Sequence, residues 1–220
     1  VSSSFAIRLP AELAFTRDVL FAAEIVDAVT LEPVTRGISV KATGLTRKPI
    51  INYSGAFVWL EEGGARPQQI VVDASNTPYE SVTLPAPASP IKSMRIELAP
   101  RYDYPFTSGI TALRGSLIEN PIGTAVPVAS AELWLQWIDD NAPGTTWIDA
   151  PTHSHSRASG DFAAHLRLTP KQVPRTANSG LRSRLRVARN GAPRTSLEFS
   201  LPEGRVADAL PPFAWSELLP

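Results

Sequence analysis

Alternation of apolar and polar positions with a period of two recurs along the chain and is its dominant pattern. The spacing predicts strands over 19–26, 38–42, 56–60, 69–73 and 81–84, then 94–98, 110–117, 131–137, 161–168, 181–188 and 196–201. Clusters of turn residues separate them, among them EEGG at 61–64, SNTP at 75–78, NPIG at 120–123 and DDNAPG at 139–144. Asn190-Gly191 predicts a hairpin, because both central positions of a type I′ turn need positive φ. Many short strands at this spacing predict an all-β sandwich with little helix. Helical periodicity is confined to PAELAF at 10–15, where a proline at the first helical position allows about one turn.

The order of elements occurs twice. Pro33-Val34 is followed by a strand and then by Ser54-Gly55-Ala56-Phe57. Pro127-Val128 is followed by a strand and then by Ser159-Gly160-Asp161-Phe162. Each half ends in a similar pair of strands, at 68–84 and 185–201. The second copy has a longer insertion before its Ser-Gly, over about 138–158. The expected organisation is therefore a lead segment at 1–17, a first sandwich at 18–104, a second at 105–202 and a tail at 203–220. Phe213 and Trp215 are expected to pack that tail on the body.

Composition narrows the function classes. A chain of 220 residues has room for two modest cores. Its 21 prolines oppose long helices. With no cysteine, disulfides, thiolate metal sites and cysteine nucleophiles are excluded. The formal net charge is zero, which gives no general attraction to nucleic acid or to an anionic membrane. No apolar run is long enough for a membrane-spanning helix. The opening VSSSFAIRLP lacks a basic region and a long apolar core, so it does not read as an intact signal peptide. A processed or trimmed start is expected.

Several residues of the first half carry a resemblance: Val26, Asp27, Thr30, Pro33-Val34, Gly37-Ile38 and Gly55-Ala56-Phe57. The chain resembles the carboxypeptidase regulatory-like domains, which are transthyretin-like β-sandwiches. The second half is similar at Pro127-Val128, Ala131, Leu133, Leu135 and Gly160-Asp161-Phe162, but has Glu119-Asn120-Pro121 in place of the Asp-x-x-Thr turn. The resemblance implies two tandem transthyretin-like or Ig-like sandwiches, and a non-catalytic stalk, accessory or interaction role. The residues themselves give turn chemistry. Asp27 can accept bonds from backbone N–H groups that follow it, Pro33 presets φ, and Gly55 permits a kink before a core aromatic.

Candidate chemistry lies mainly in the second half. His153 and His155 form a His-x-His pair that a strand would place on one face, with Asp149 as a further metal ligand. The competing expectation is a polar loop within 138–158. Ser154 or Ser156 beside these histidines raises a hydrolase reading, although no Gly-x-Ser-x-Gly elbow is present. LRGS at 113–116 resembles the Tyr-Arg-Gly-Ser end of hydroxyisourate hydrolases. Leu113 replaces its Tyr, and no histidine lies in the first half, so Arg114-Gly115 reads as a strand opening. An iron site of the intradiol dioxygenase kind is disfavoured, because Tyr53, Tyr79, Tyr102 and Tyr104 are all far in sequence from the histidines. From Phe162 to Leu197 the chain has eight Arg or Lys residues and no Asp or Glu. Arg182, Arg184 and Arg186 share one strand face, opposite Leu181, Leu185 and Val187, which suggests either a docking strip or a solvated face. No aromatic interleaves with them, which speaks against nucleic acid. Trp134 points away from the face of Leu133, Leu135 and Trp137, and Trp147 lies in the insertion. Either would suit a protein interface or a stacked sugar.

The sequence thus predicts a non-catalytic structural or interaction protein with no cofactor. A protein partner is expected, with extracellular, periplasmic or cell-surface placement. Carbohydrate binding through Trp134 and Trp147, or a metal-dependent enzyme at His153, His155 and Asp149, are the alternatives.

Overall fold

The computed structural model describes residues 18–88, 92–141 and 146–220. The lead segment, with its expected helical turn at 10–15, lies outside the described residues, as does 142–145 of the expected loop. The fold is all-β; among the described residues the only helix is a 3-10 turn at Trp215–Glu217.

The first half contains β1 (Val19–Asp27), β2 (Ser39–Ala42), β3 (Ile50–Ile51), β4 (Phe57–Leu60), β5 (Gln69–Asp73), β6 (Val82–Pro85) and β7 (Ser93–Leu98). They form two sheets, ordered β3-β4-β1-β7 and β2-β5-β6. Alternation along each strand sends one set of side chains inward. Phe21, Ala23 and Ile25 of β1 meet Phe57 and Trp59 of β4, Ile70 and Val72 of β5, and Ile96 and Leu98 of β7. The rings of Phe21 and Trp59 stack at 4.5 Å. Each large side chain buried this way contributes roughly 1.5–3 kcal/mol.

The second half contains β8 (Thr111–Ile118), β9 (Glu132–Ile138), β10 (Trp147–Asp149), β11 (Ser154–His155), β12 (Asp161–Leu166) and β13 (Thr176–Ala177). It continues with β14 (Gly180–Arg189), β15 (Ala192–Thr195), β16 (Phe199–Leu201), β17 (Val206–Asp208) and β18 (Phe213–Ala214). One sheet is built on β9 and β14, the other on β8. A second apolar cluster fills the space between them, including Leu117, Leu133, Leu135, Trp137, Phe162, Leu185, Val187 and Leu201.

In each half one strand pairs antiparallel on one side and parallel on the other. β1 lies between antiparallel β4 and parallel β7; β8 lies between antiparallel β12 and parallel β17. Each of these strands ends at a bridge to a proline, Val26 to Pro33 and Ile118 to Pro127. Gly55 and Gly160 adopt φ of 84° and 83°. A side chain on Gly55 would press on Pro33 and Thr35; one on Gly160 would press on Pro127 and strike the Leu117 carbonyl. Positive φ favours glycine at both places, and at Gly160 the close backbone approach also leaves no room for a side chain.

Three local expectations change. The described parts of 138–158 do not form a loose polar loop. Their Trp147–Asp149 and Ser154–His155 segments pair with β9 and extend the sheet. Arg114-Gly115 does not open a strand but lies within β8, where Gly115 leaves room for the Phe162 ring. Residues 203–220 do more than pack through Phe213 and Trp215: they supply β17 and β18, both paired parallel to β8. Asn190 and Gly191 have positive φ and close the β14–β15 hairpin.

Candidate functional site

The outer face of the β9–β14 sheet collects most of the sequence-predicted side chains. On β14, Leu181, Leu185 and Val187 are buried, so Arg182, Arg184 and Arg186 point out. On β9, Trp134 and Gln136 point to the same side. Register places Arg186 opposite Trp134 and Arg184 opposite Gln136, with Asp149 beyond Gln136 on β10. Trp134 is only 7 % exposed, contrary to the outward-facing surface role. His153 stacks on its ring at 4.3 Å and 7°, and the Arg186 guanidinium lies 5.5 Å from its centroid. Arg184 sits 4.3 Å over the Trp147 ring. Cation–π contact holds each guanidinium flat against an indole.

Gln136, 2 % exposed, organises this ladder. Its amide nitrogen donates to Asp149, and its carbonyl accepts from Arg184 Nε at 2.6 Å. Arg182 instead donates to both oxygens of Glu198. That contact raises the Arg182 pKa and lowers that of Glu198. Burial, and then the neighbouring Arg186 charge, holds Arg184 below its ordinary range.

The metal candidates do not converge. His153 bonds Glu132 at 2.7 Å, His155 bonds Glu80 at 2.8 Å, and Asp149 is engaged by Gln136. Among the described residues no three His, Cys, Asp or Glu side chains gather as a metal site requires. Ser154 and Ser156 are buried and donate to backbone carbonyls of Ala163 and Val128. Neither hydroxyl is bonded to a histidine, as an activated nucleophile would be.

No protein-family model matches the chain, and no curated protein matches it. Among solved structures the chain is similar to one described as a streptococcal ancillary pilin. The identity is 8 % and the TM-score 0.24, over 87 % of this chain and 62 % of that one.

A second cluster joins the two halves. The turn after β1 is set by Asp27, 4 % exposed, whose Oδ1 accepts from Val29 N at 2.7 Å. Its Oδ2 accepts from the hydroxyls of Tyr79 (3.2 Å) and Tyr104. Burial, together with the Asp27 charge, raises the Tyr79 phenol to about 12 and Tyr104 further. The turn aims the Ala28 carbonyl at the second half. There it accepts from His165 Nε2 at 3.1 Å and from Arg167 at 2.9 Å. Arg167 also pairs with Glu97 at 3.0 Å. Burial lowers the His165 pKa, whereas the Glu80 hydrogen bond raises that of His155. Arg114 donates to the Tyr104 carbonyl at 2.6 Å and lies over the Phe106 ring.

Sequence reasoning missed Gln136, Glu132, Glu80 and Glu97. Gln136 left a trace, as a polar residue in the same alternation phase as Trp134 within an otherwise apolar strand. The glutamates left none, since their partners lie 21 to 75 residues away.

Proposed function

We propose that this chain is a non-catalytic structural and interaction protein. In this reading it consists of two tandem sandwich modules of one ancestry, holding their outer faces in a fixed relation within a larger protein assembly. The observation that carries the reading is the state of the polar and aromatic candidates. Trp134, Trp147, Arg182, Arg184, His153 and Asp149 brace one another or a neighbouring Glu or Gln across a sheet face. His155, His165 and Arg167 fasten one half to the other. Such an arrangement stiffens surfaces and seams; it does not poise a nucleophile, base and oxyanion donor around one point. The repeated strand connectivity supports the tandem reading. Placement at a bacterial surface or in a secreted assembly follows from the family resemblance. A sugar-stacking role finds little support at Trp134, whose ring carries His153 and Arg186.

Site-specific photo-crosslinking in the native host tests this. A crosslinker at Thr195, beside the ladder, is expected to capture one discrete protein species. One at the exposed Tyr53 of the first half is expected to capture none. No adduct at either position, with the chain sedimenting as a lone monomer in native extracts, would remove the assembly reading.

A further inference from the structure

Beside the arginine ladder lies a hollow of about 320 Å³, lined by Arg184, Arg186, Pro193, Thr195, Ser196, Leu219 and Pro220. Strand pairing builds it. Arg186 stands opposite Thr195 across β14 and β15, and Thr195 exchanges two backbone hydrogen bonds of 2.8 Å with Leu219.

The charge there is unbalanced. Three other arginines of this sheet region meet carboxylates, Arg182 with Glu198, Arg189 with Glu119 and Arg175 with Asp140, while Arg194 donates to the Trp215 carbonyl. Among the described residues, Arg184 and Arg186 have no carboxylate within ion-pair distance. Gln136 stands between Arg184 and Asp149, so the nearest acid is bonded to an amide instead of a guanidinium. The Nε atom of Arg186 is buried and without a hydrogen-bond partner, as is Nε1 of Trp134 next to it. Two neighbouring cations, half out of water and without a carboxylate, disfavour the empty state; an anion in the hollow offsets their charge. The indoles beneath hold the guanidiniums in place, which reduces the ordering cost of binding.

We propose that this hollow binds a carboxylate on a short aliphatic stem, the glutamate side chain of a partner protein. A planar guanidinium matches a carboxylate with two parallel hydrogen bonds. Pro193 and Leu219 would cover the methylenes, which a sulfate or phosphate lacks. The inference rests on the reading of the chain as an interaction protein.

The test titrates the isolated protein with blocked glutamate (N-acetylglutamate N-methylamide) at low salt, while NMR follows the arginine Nε–Hε signals. The Arg186 signal is expected to shift saturably with blocked glutamate and to stay put with blocked glutamine. Arg186→Gln is expected to weaken binding about tenfold, the loss of one charge-assisted contact. Lys41→Gln, on the exposed face of β2 in the first half, is expected to leave binding unchanged. Arg184→Lys keeps the charge without the planar fork and is expected to bind more weakly while melting at the wild-type temperature, which separates recognition from folding. No saturable shift with wild-type protein, or unchanged affinity in Arg186→Gln, overturns the site. Sulfate binding as tightly as glutamate overturns the carboxylate assignment. Because no partner protein is present, failure here removes the hollow as a docking point and leaves the assembly reading to the crosslinking experiment.

Discussion

Asp27 shows how much one side chain can organise. Its turn role is legible in the sequence, because an Asp before a Thr-containing turn commonly caps the backbone that follows. Its other roles were not legible. Tyr79 and Tyr104 reach it from 52 and 77 residues away, and the adjacent Ala28 carbonyl receives His165 from 137 residues away. Local pattern contains no information about such partners. Asp27→Ala strands the buried Tyr104 hydroxyl and the Val29 N–H together. It is expected to cost about 3 kcal/mol, a large part of the roughly 5–15 kcal/mol that keeps a protein folded. Urea denaturation measures the loss. A cost below about 1 kcal/mol would mean that water replaces the carboxylate without penalty.

At the scale of elements, long alternating segments announced themselves and short ones did not. β1, β5 and β14 follow the predicted alternation closely. β10 and β11 are three and two residues long, too short for a period of two to show, and they form only because β9 presents an open edge to them. The same edge explains why the histidines failed as a metal pair: the sheet fixes them within reach of different glutamates. The connecting turns differ in how tightly they are held. Gly160 and Gly191 both have positive φ, but a side chain at Gly160 meets the Leu117 carbonyl whereas one at Gly191 meets open space. Gly160→Ala is expected to cost about 2–3 kcal/mol and Gly191→Ala about 1 kcal/mol. Paired thermal melts check the ranking. Equal costs would show that backbone conformation alone, and not the strand contact, determines the penalty.

For the whole molecule, the seam between the halves should respond to pH in two directions. His165 has a lowered pKa, so its contribution is present above its ordinary value of 6.5 and lost as pH falls through the folded value. His155 has a raised pKa, so its contribution is full below 6.5 and lost as pH rises through its folded value. Stability of the seam is therefore expected to peak near pH 6.5. His165→Gln is expected to flatten the acid side of a melting-temperature profile and His155→Gln the alkaline side. An acid limb unchanged by His165→Gln would place the titrating group elsewhere. The all-β class was legible at this scale because it depends on alternation and turn residues. The seam was not, because it is made of glutamates and arginines that look like ordinary surface charges.

The parallel pairs β1–β7 and β8–β17 have a mechanical consequence. In the first half the first strand lies beside the last, and in the second β8 lies beside both closing strands, β17 and β18, so tension on the chain pulls these neighbours past each other lengthwise. Their hydrogen bonds then share the force instead of opening one at a time as in a hairpin. β1 and β7 are joined over six residue pairs in one unbroken run, whereas β8 meets β17 over three and β18 over two. Forced unfolding reports the unfolding rate under tension. Single-molecule pulling through the ends of the chain is expected to show the 19–98 segment yielding last, at the highest force.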